Sequence, residues 1–126
     1  MQLGTLDHVN IRTSRLDQMI AWYGDILGMT NGKRPPFSFP GAWLYVGDKA
    51  YVHLIGIDHE PGANSKDLKL EHFALSATGL DIFIAHLDKA GENYDKRVVP
   101  GFGIIQINIW DPDRNHVHID FAANED

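Results

Sequence analysis

Histidine is the residue of this sequence that most directly suggests chemistry, because the chain carries seven histidines and no cysteine. Neutral imidazole is the commonest protein ligand for transition metals, so the first question is which of these histidines could meet in space. Four of them fall into two related pairs within segments of similar sequence. These are His8, His53, His72 and His118.

An internal repeat relates the four histidines. Shifting the chain by 64 positions places Leu6-Asp7-His8-Val9 on Leu70-Glu71-His72-Phe73. A shift of 65 places Val52-His53-Leu54 on Val117-His118-Ile119. Two histidine pairs embedded in matching apolar patterns indicate duplication.

We therefore interpret the chain as one domain, residues 1–126, made of a duplicated module. The modules cover residues 3–57 and 69–122, and a polar linker rich in turn-forming residues joins them at 58–68. This length suits a single domain with its own hydrophobic core.

Each module predicts the element order βαβββ. A short alternating strand leads into an amphipathic helix, which ends at Gly28 in one module and Gly91 in the other, and three further strands follow. We expect Ser14 and Thr78 to cap these helices. The fold class is α+β, with two βαβββ modules forming curled mixed sheets around a cleft. The strand after Gly28 is irregular, since adjacent prolines suit only an edge strand or a loop.

Strand alternation places the histidines on polar faces. In the last strand, His116, His118 and Asp120 alternate with an apolar set that we expect the helices to cover. If the sheets curl, the polar face lines the cleft, and all four related histidines point into it. Because His116 shares the face of His118, either could be a ligand, although the match to His53 favours His118.

The motifs around these histidines resemble the vicinal oxygen chelate superfamily over nearly the whole chain. That superfamily includes glyoxalase I, bleomycin-resistance proteins, fosfomycin-resistance enzymes, methylmalonyl-CoA epimerase and extradiol dioxygenases. The segments that carry the resemblance are Asp7-His8-Val9-Asn10-Ile11-Arg12, Trp22-Tyr23-Gly24-Asp25-Ile26-Leu27-Gly28-Met29, Glu71-His72-Phe73-Ala74-Leu75 and Asp111-Pro112-Asp113-Arg114-Asn115-His116-Val117-His118-Ile119.

The resemblance implies one divalent metal per site, with ligands on the first and last strands of each module. Those positions are His8, His53, His72 and His118 here, and the metal could be Zn, Ni, Co, Mn or Fe. It also implies a homodimer, because short members of the superfamily commonly dimerise. Two positions depart from the family pattern, since glutamate is usual at His118 and occurs at His53 in many glyoxalases.

The resemblance further implies a metal-dependent glyoxalase-like lyase or isomerase. Its substrate would be a small molecule with adjacent oxygens, converted through a metal-stabilised enediolate. With glutamate absent from the ligand set, Asp120 could act as general base or orient a ligand imidazole. Arg12 lies on the face of His8, and it could hold an anionic substrate group or form a surface ion pair.

Two other functions fit the same residues. An Fe(II) centre could activate O₂ and cleave a diol, as in the ring- or C–C-cleaving dioxygenases. Alternatively, the protein could bind a small molecule without catalysis, as the bleomycin-resistance proteins do, although a binder has no need of four histidines on one face.

Composition excludes several classes of partner. The formal charge of −6 and pI near 5.5 are opposite to what a phosphate-backbone binder carries, so we expect no nucleic acid partner. No apolar stretch reaches the length of a membrane span and no secretion signal is present, so we expect a cytoplasmic protein without a membrane partner.

Overall fold

The computed structural model describes residues 1–62 and 68–126. The chain divides into two compact units, Met1–Asn64 and Ser65–Asp126. The predicted linker, 58–68, lies partly outside the described residues. No helix in the described ranges has both the length and the apolar character needed to cross a membrane.

The first unit contains one mixed four-stranded sheet and one helix. Its elements are β1 (Val9–Thr13), α1 (Leu16–Leu27), β2 (Thr30–Gly32), β3 (Gly41–Val46) and β4 (Lys49–Gly56). The strand order is β1-β4-β3-β2, in which β1 and β4 are parallel and the other neighbours are antiparallel. The edge strand β2 ends before Pro35 and Pro36, whose missing N–H groups could not continue a ladder.

The second unit repeats this architecture. Its elements are β5 (His72–Ser76), α2 (Leu80–Ala90), β6 (Asp95–Val99), β7 (Ile104–Trp110) and β8 (His116–Ala122), followed by a short 3₁₀ turn (Ala123–Glu125). The strand order β5-β8-β7-β6 again has one parallel pair, β5 with β8. The predicted α+β fold of two βαβββ modules is confirmed, and each sheet is open, with two free edges.

The apolar face of each sheet forms the core of its unit. In the first unit the α1 side chains Met19 and Tyr23 are fully buried, as is Leu44 of β3. In the second unit, Phe83 of α2 lies 5.9 Å from Phe121 of β8, measured between ring centroids. The alternation that buries these residues turns the intervening polar residues to the opposite face of each sheet.

The helix N-termini differ from the prediction, and both predicted caps are wrong. Before α1, Arg15 occupies the cap position, and Thr13 Oγ1 accepts its N–H at 2.9 Å. Ser14 instead donates its hydroxyl to Glu60 Oε1 at 2.8 Å. The cap position before α2 is Gly79, with φ of 85°, rather than Thr78.

The N-terminus of α2 is capped by a carboxylate from the far end of the unit. Glu125 Oε1 accepts the N–H of Gly79 at 2.6 Å and that of Leu80 at 3.4 Å. This contact satisfies amide hydrogens at the positive end of the helix dipole. It also ties the C-terminal turn to the helix.

We expect Glu125→Ala to lower the free energy of unfolding by about 1 kcal/mol, because two helix amides lose their acceptor. Urea denaturation followed by circular dichroism measures this change. Glu125→Gln keeps an acceptor oxygen without the charge, and it is expected to lose less. An alanine variant with the parental midpoint would show that water replaces the carboxylate at no cost.

Candidate metal centre

The first unit brings His8 and His53 together. Parallel pairing sets Asn10 of β1 opposite His53 of β4, so His8, just before β1, reaches the same end of the sheet. The two imidazole rings stack, with centroids 3.9 Å apart and planes 11° apart. Trp43 of β3 lies opposite His53 and stacks on it at 4.0 Å and 13°. Since two rings cannot stack on one face at this distance, His53 lies between His8 and Trp43.

The environment of His53 favours its neutral form. Only 9% of the residue is exposed. This burial lowers the pKa of His53, and the neighbouring His8 lowers it further. A neutral imidazole is the form that binds a metal, so His53 is prepared to act as a ligand without losing a proton.

His8 is held by the residue that precedes it. Its Nδ1 donates to Asp7 Oδ2 at 2.7 Å, and Lys49 Nζ lies 3.6 Å from the other carboxylate oxygen. The hydrogen bond from His8 lowers the pKa of Asp7, and the charge of Lys49 adds to this effect. The contact occupies Nδ1 of His8 and leaves Nε2 as the nitrogen that can bind another group.

A cavity of about 410 Å³ lies beside this histidine pair. The pair lines it together with Trp43, Tyr45, Lys49 and Asp7, so flat aromatic surfaces and charged groups face the same space. A volume of this size suits a small molecule.

The second unit brings His72 and His118 together, with their rings tilted by 46° rather than stacked. Their ring centroids are 4.3 Å apart, and β5 and β8 pair so that Ala74 lies opposite His118. His118 is 5% exposed, and its Nδ1 donates to Asp120 Oδ1 at 2.6 Å. The Nδ1 of His72 contacts Glu71 Oε2, again the residue immediately before the histidine.

His116 has both ring nitrogens engaged. Nδ1 lies 3.0 Å from Glu71 Oε1, and Nε2 lies 2.8 Å from Asn108 Oδ1. The Asn108 amide donates to the Asp95 carbonyl at 3.1 Å, which fixes its oxygen as the acceptor facing His116. The Nε2 of His116 therefore carries a hydrogen and cannot bind a metal.

Glu71 forms a second possible ligand group with His72 and His116. One ligand atom from each of the three residues lies within 4.8 Å of the others. The hydrogen bond from His72, followed by that from His116, lowers the pKa of Glu71, so its carboxylate stays ionised. The second unit thus offers two sets of possible ligands: the pair His72 and His118, or the group of Glu71, His72 and His116.

The other two predicted site residues are Asp120, in the second unit, and Arg12, in the first. Asp120 contacts His118 through Oδ1, an arrangement that orients the imidazole. Arg12 is exposed at the register position opposite Ile55, on the sheet face that carries His53.

Sequence reasoning missed several residues that hold the histidines. Trp43 covers one face of His53, and Asn108 fixes one nitrogen of His116. The repeated Asp7-His8 and Glu71-His72 dipeptides were a visible signal for the flanking carboxylates. The contacts of Trp43 and Asn108 have no such local signal, because they depend on the pairing of β3 and β7 with distant strands.

Comparison with known proteins identifies the family. The model of the Glyoxalase/Bleomycin resistance protein/Dioxygenase superfamily matches residues 5–119. The chain belongs to this superfamily. Members of the glyoxalase superfamily bind small-molecule substrates, commonly bind a divalent metal and often form dimers.

Individual relatives of this glyoxalase-superfamily chain are distant. Glyoxylase I 4 of Arabidopsis thaliana is 25% identical over 122 residues, which cover 90% of this chain and 68% of the relative. The glyoxylase/bleomycin resistance protein/dioxygenase domain from Frankia sp. EAN1pec is 19% identical with a TM-score of 0.76, covering 96% of this chain and 99% of that one. Fosfomycin resistance protein FosX from Listeria monocytogenes is 11% identical with a TM-score of 0.71, covering 96% and 95%. The two structural similarities show a shared fold.

Proposed function

We propose that this protein is a metal-dependent glyoxalase-type lyase or isomerase acting on a small substrate with adjacent oxygens. The proposal rests on two histidine pairs that the repeat relates to each other. His8 lies against His53 in the first unit, and His72 lies against His118 in the second. The superfamily match and the distant similarity to Glyoxylase I 4 support this choice among the reactions of the superfamily.

The donor chemistry of the four histidines fits a divalent metal. Their imidazoles suit Zn, Ni, Co or Fe. In three of them a carboxylate contacts Nδ1, which leaves Nε2 as the nitrogen that would bind the metal. The fourth, His53, is kept neutral by burial. When bound, the metal supplies Lewis-acid polarisation of the substrate oxygens.

The chain's own residues would bind and orient the substrate. The aromatic walls of the cavity at Trp43 and Tyr45 offer a flat apolar surface that excludes water from one side of a bound molecule. Arg12, on the sheet face of His53, would hold an acidic substituent. Asp120 would act through His118. The homodimeric state and the cytoplasmic localisation of this protein stay predictions from the sequence.

Metal analysis of the purified protein tests the proposal first. We expect the protein to take up zinc, nickel, cobalt, manganese or iron, and the double variant His8→Ala/His72→Ala to lose it. His59→Ala is the matched control, because His59 is an exposed histidine that contacts the carboxylate before it in the sequence. Equal metal content in all three proteins, or none after reconstitution, would overturn the metal-dependent mechanism.

The reaction class is tested by incubating the loaded protein with α-hydroxycarbonyls, hemithioacetals and diols in D₂O. Deuterium entering the carbon next to the oxygens without oxygen uptake is the result expected for a lyase or isomerase. Oxygen consumption with a diol would instead establish a dioxygenase. Tight binding with neither exchange nor uptake would establish a binding protein.

A further inference from the structure

Three carboxylates contact the proposed metal ligands through the same ring nitrogen. Asp7, Glu71 and Asp120 contact Nδ1 of His8, His72 and His118 in that order, and Glu71 also contacts Nδ1 of His116. Two of these carboxylates immediately precede their histidine, and the third lies two residues beyond it on the same strand face. The contact with the preceding carboxylate occurs in both units and belongs to the repeat, whereas the Asp120 contact occurs in the second unit, where Ile55 is its counterpart in the first.

We infer that Asp7, Glu71 and Asp120 are positioning residues that select the Nδ1–H tautomer of their histidines and so present Nε2 to the metal. An ionised carboxylate can only accept a hydrogen bond, so a neutral ring carries its hydrogen on the nitrogen that faces the carboxylate, unless its other nitrogen also faces an acceptor, as Nε2 of His116 does. The other nitrogen then holds the lone pair that binds a metal. The metal-binding half of this inference rests on the proposed function, whereas the tautomer is a property of the metal-free protein.

The tautomer matters because a free neutral histidine in water favours the hydrogen on Nε2. Without the carboxylates, the metal-binding lone pair would therefore sit mainly on Nδ1, the nitrogen nearer the backbone. The carboxylates reverse this preference before any metal arrives. Asp120 is the best placed of the three, because its bond to the buried His118 is 2.6 Å long and largely shielded from water.

The fourth proposed ligand, His53, is held by ring stacking and a backbone hydrogen bond rather than by a carboxylate. It lies between the rings of His8 and Trp43, and it also makes a hydrogen bond with the backbone of Ala50. Fixing the ring of His8 through Asp7 therefore also fixes one wall of the His53 stack. Loss of Asp7 would loosen both ligands of the first unit.

Nitrogen NMR on metal-free protein with ¹⁵N-labelled histidine tests the inference directly. At a pH where the rings are neutral, long-range ¹H–¹⁵N correlations distinguish the two tautomers of each ring. We expect the Nδ1–H form for His8, His72 and His118. In Asp7→Ala, Glu71→Ala and Asp120→Ala, the ring that loses its acceptor should change toward the Nε2–H form. Asp120→Asn keeps an acceptor oxygen, so His118 should retain more of the Nδ1–H form in this variant than in Asp120→Ala.

Zinc affinity, measured by competition with a chromophoric chelator, provides the second readout. Each alanine variant should bind zinc about 10- to 100-fold more weakly. Asp58→Ala removes the same kind of contact from the exposed His59 and should change neither the affinity nor the signals of the three ligands.

The outcomes separate this inference from the proposed function. Tautomers that stay unchanged in all three alanine variants would overturn the positioning role, whatever the metal content. Tautomers that change while zinc affinity stays the same would also overturn it. If the parent protein binds no metal but its tautomers depend on the carboxylates, the proposed function is wrong and the tautomer selection alone is supported.

Discussion

His118→Ala is expected to weaken zinc binding by more than about 100-fold, whereas His116→Ala should change it by only a few-fold. Removal of a group that merely supports a ligand costs about 10- to 100-fold, so loss of a ligand should exceed that range. The two histidines lie on the same face of β8 only two residues apart, which makes them a matched pair for the comparison. Chelator competition measures both affinities under identical conditions.

The contrast follows from the nitrogen atoms that each ring has to offer. His118 uses Nδ1 for Asp120, and so its Nε2 is the nitrogen left for a metal. His116 carries a hydrogen on Nε2, directed at Asn108, and its Nδ1 faces Glu71. His116 can therefore join a metal site only through the alternative group of Glu71 and His72.

The reverse result would establish that alternative group as the metal site of the second unit. If His116→Ala loses the metal and His118→Ala keeps it, His72 binds through Nδ1 and Glu71 is a ligand. The repeat argues against this outcome, because Tyr51 stands at the position in the first module that corresponds to His116. Circular dichroism of both variants checks that each remains folded.

The sequence predicts the fold and the histidine pairs because both depend on local periodicity. Alternation assigns each strand residue to a face, and the repeat relates the two halves, so His8 and His53 could be matched with His72 and His118 before any contact was known. Parallel pairing of the first and last strands of each module then brings each pair together.

Sequence periodicity does not predict which side chains contact the ends of the helices. Glu125 caps α2 from 46 residues away, although the local sequence favoured Thr78. At the start of α1, Arg15 holds the cap position in place of Ser14, and Thr13 Oγ1 accepts its N–H. At α2 a tertiary contact satisfies the amide groups for which the sequence suggested a local partner, whereas at α1 another local side chain takes that role.

The choice between His116 and His118 shows the same limit within the site. Alternation places both on one face, and within the sequence only the match to His53 favours His118. The contact that engages Nε2 of His116 comes from the Asn108 amide, whose orientation is fixed by the Asp95 carbonyl on the neighbouring strand. Only the register of β6, β7 and β8 reveals it.

Asp111→Ala is expected to lower the free energy of unfolding by about 2 to 3 kcal/mol. Asp111 is 4% exposed and organises the turn between β7 and β8. Its Oδ1 accepts the N–H groups of Asp113 at 3.0 Å and Asn115 at 2.8 Å, and its Oδ2 accepts the Asn115 side-chain amide at 2.9 Å. Alanine removes both acceptor oxygens, and with them three hydrogen bonds, from a turn that sets the start of β8.

Two companion variants make the Asp111 measurement specific. Asp111→Asn keeps the oxygen that accepts both backbone amides, and it should lose about 1 kcal/mol. Arg114→Gly acts on the same turn in the opposite direction, because Arg114 has a φ of 66°, and glycine should add roughly 0.5 to 1 kcal/mol. Urea denaturation of the three variants beside the parent measures these changes. If Asp111→Ala unfolds at the same urea concentration as the parent, the backbone hydrogen bonds from Asp111 N–H to the Asn115 carbonyl and from Arg114 N–H to the Asp111 carbonyl hold the turn without the carboxylate.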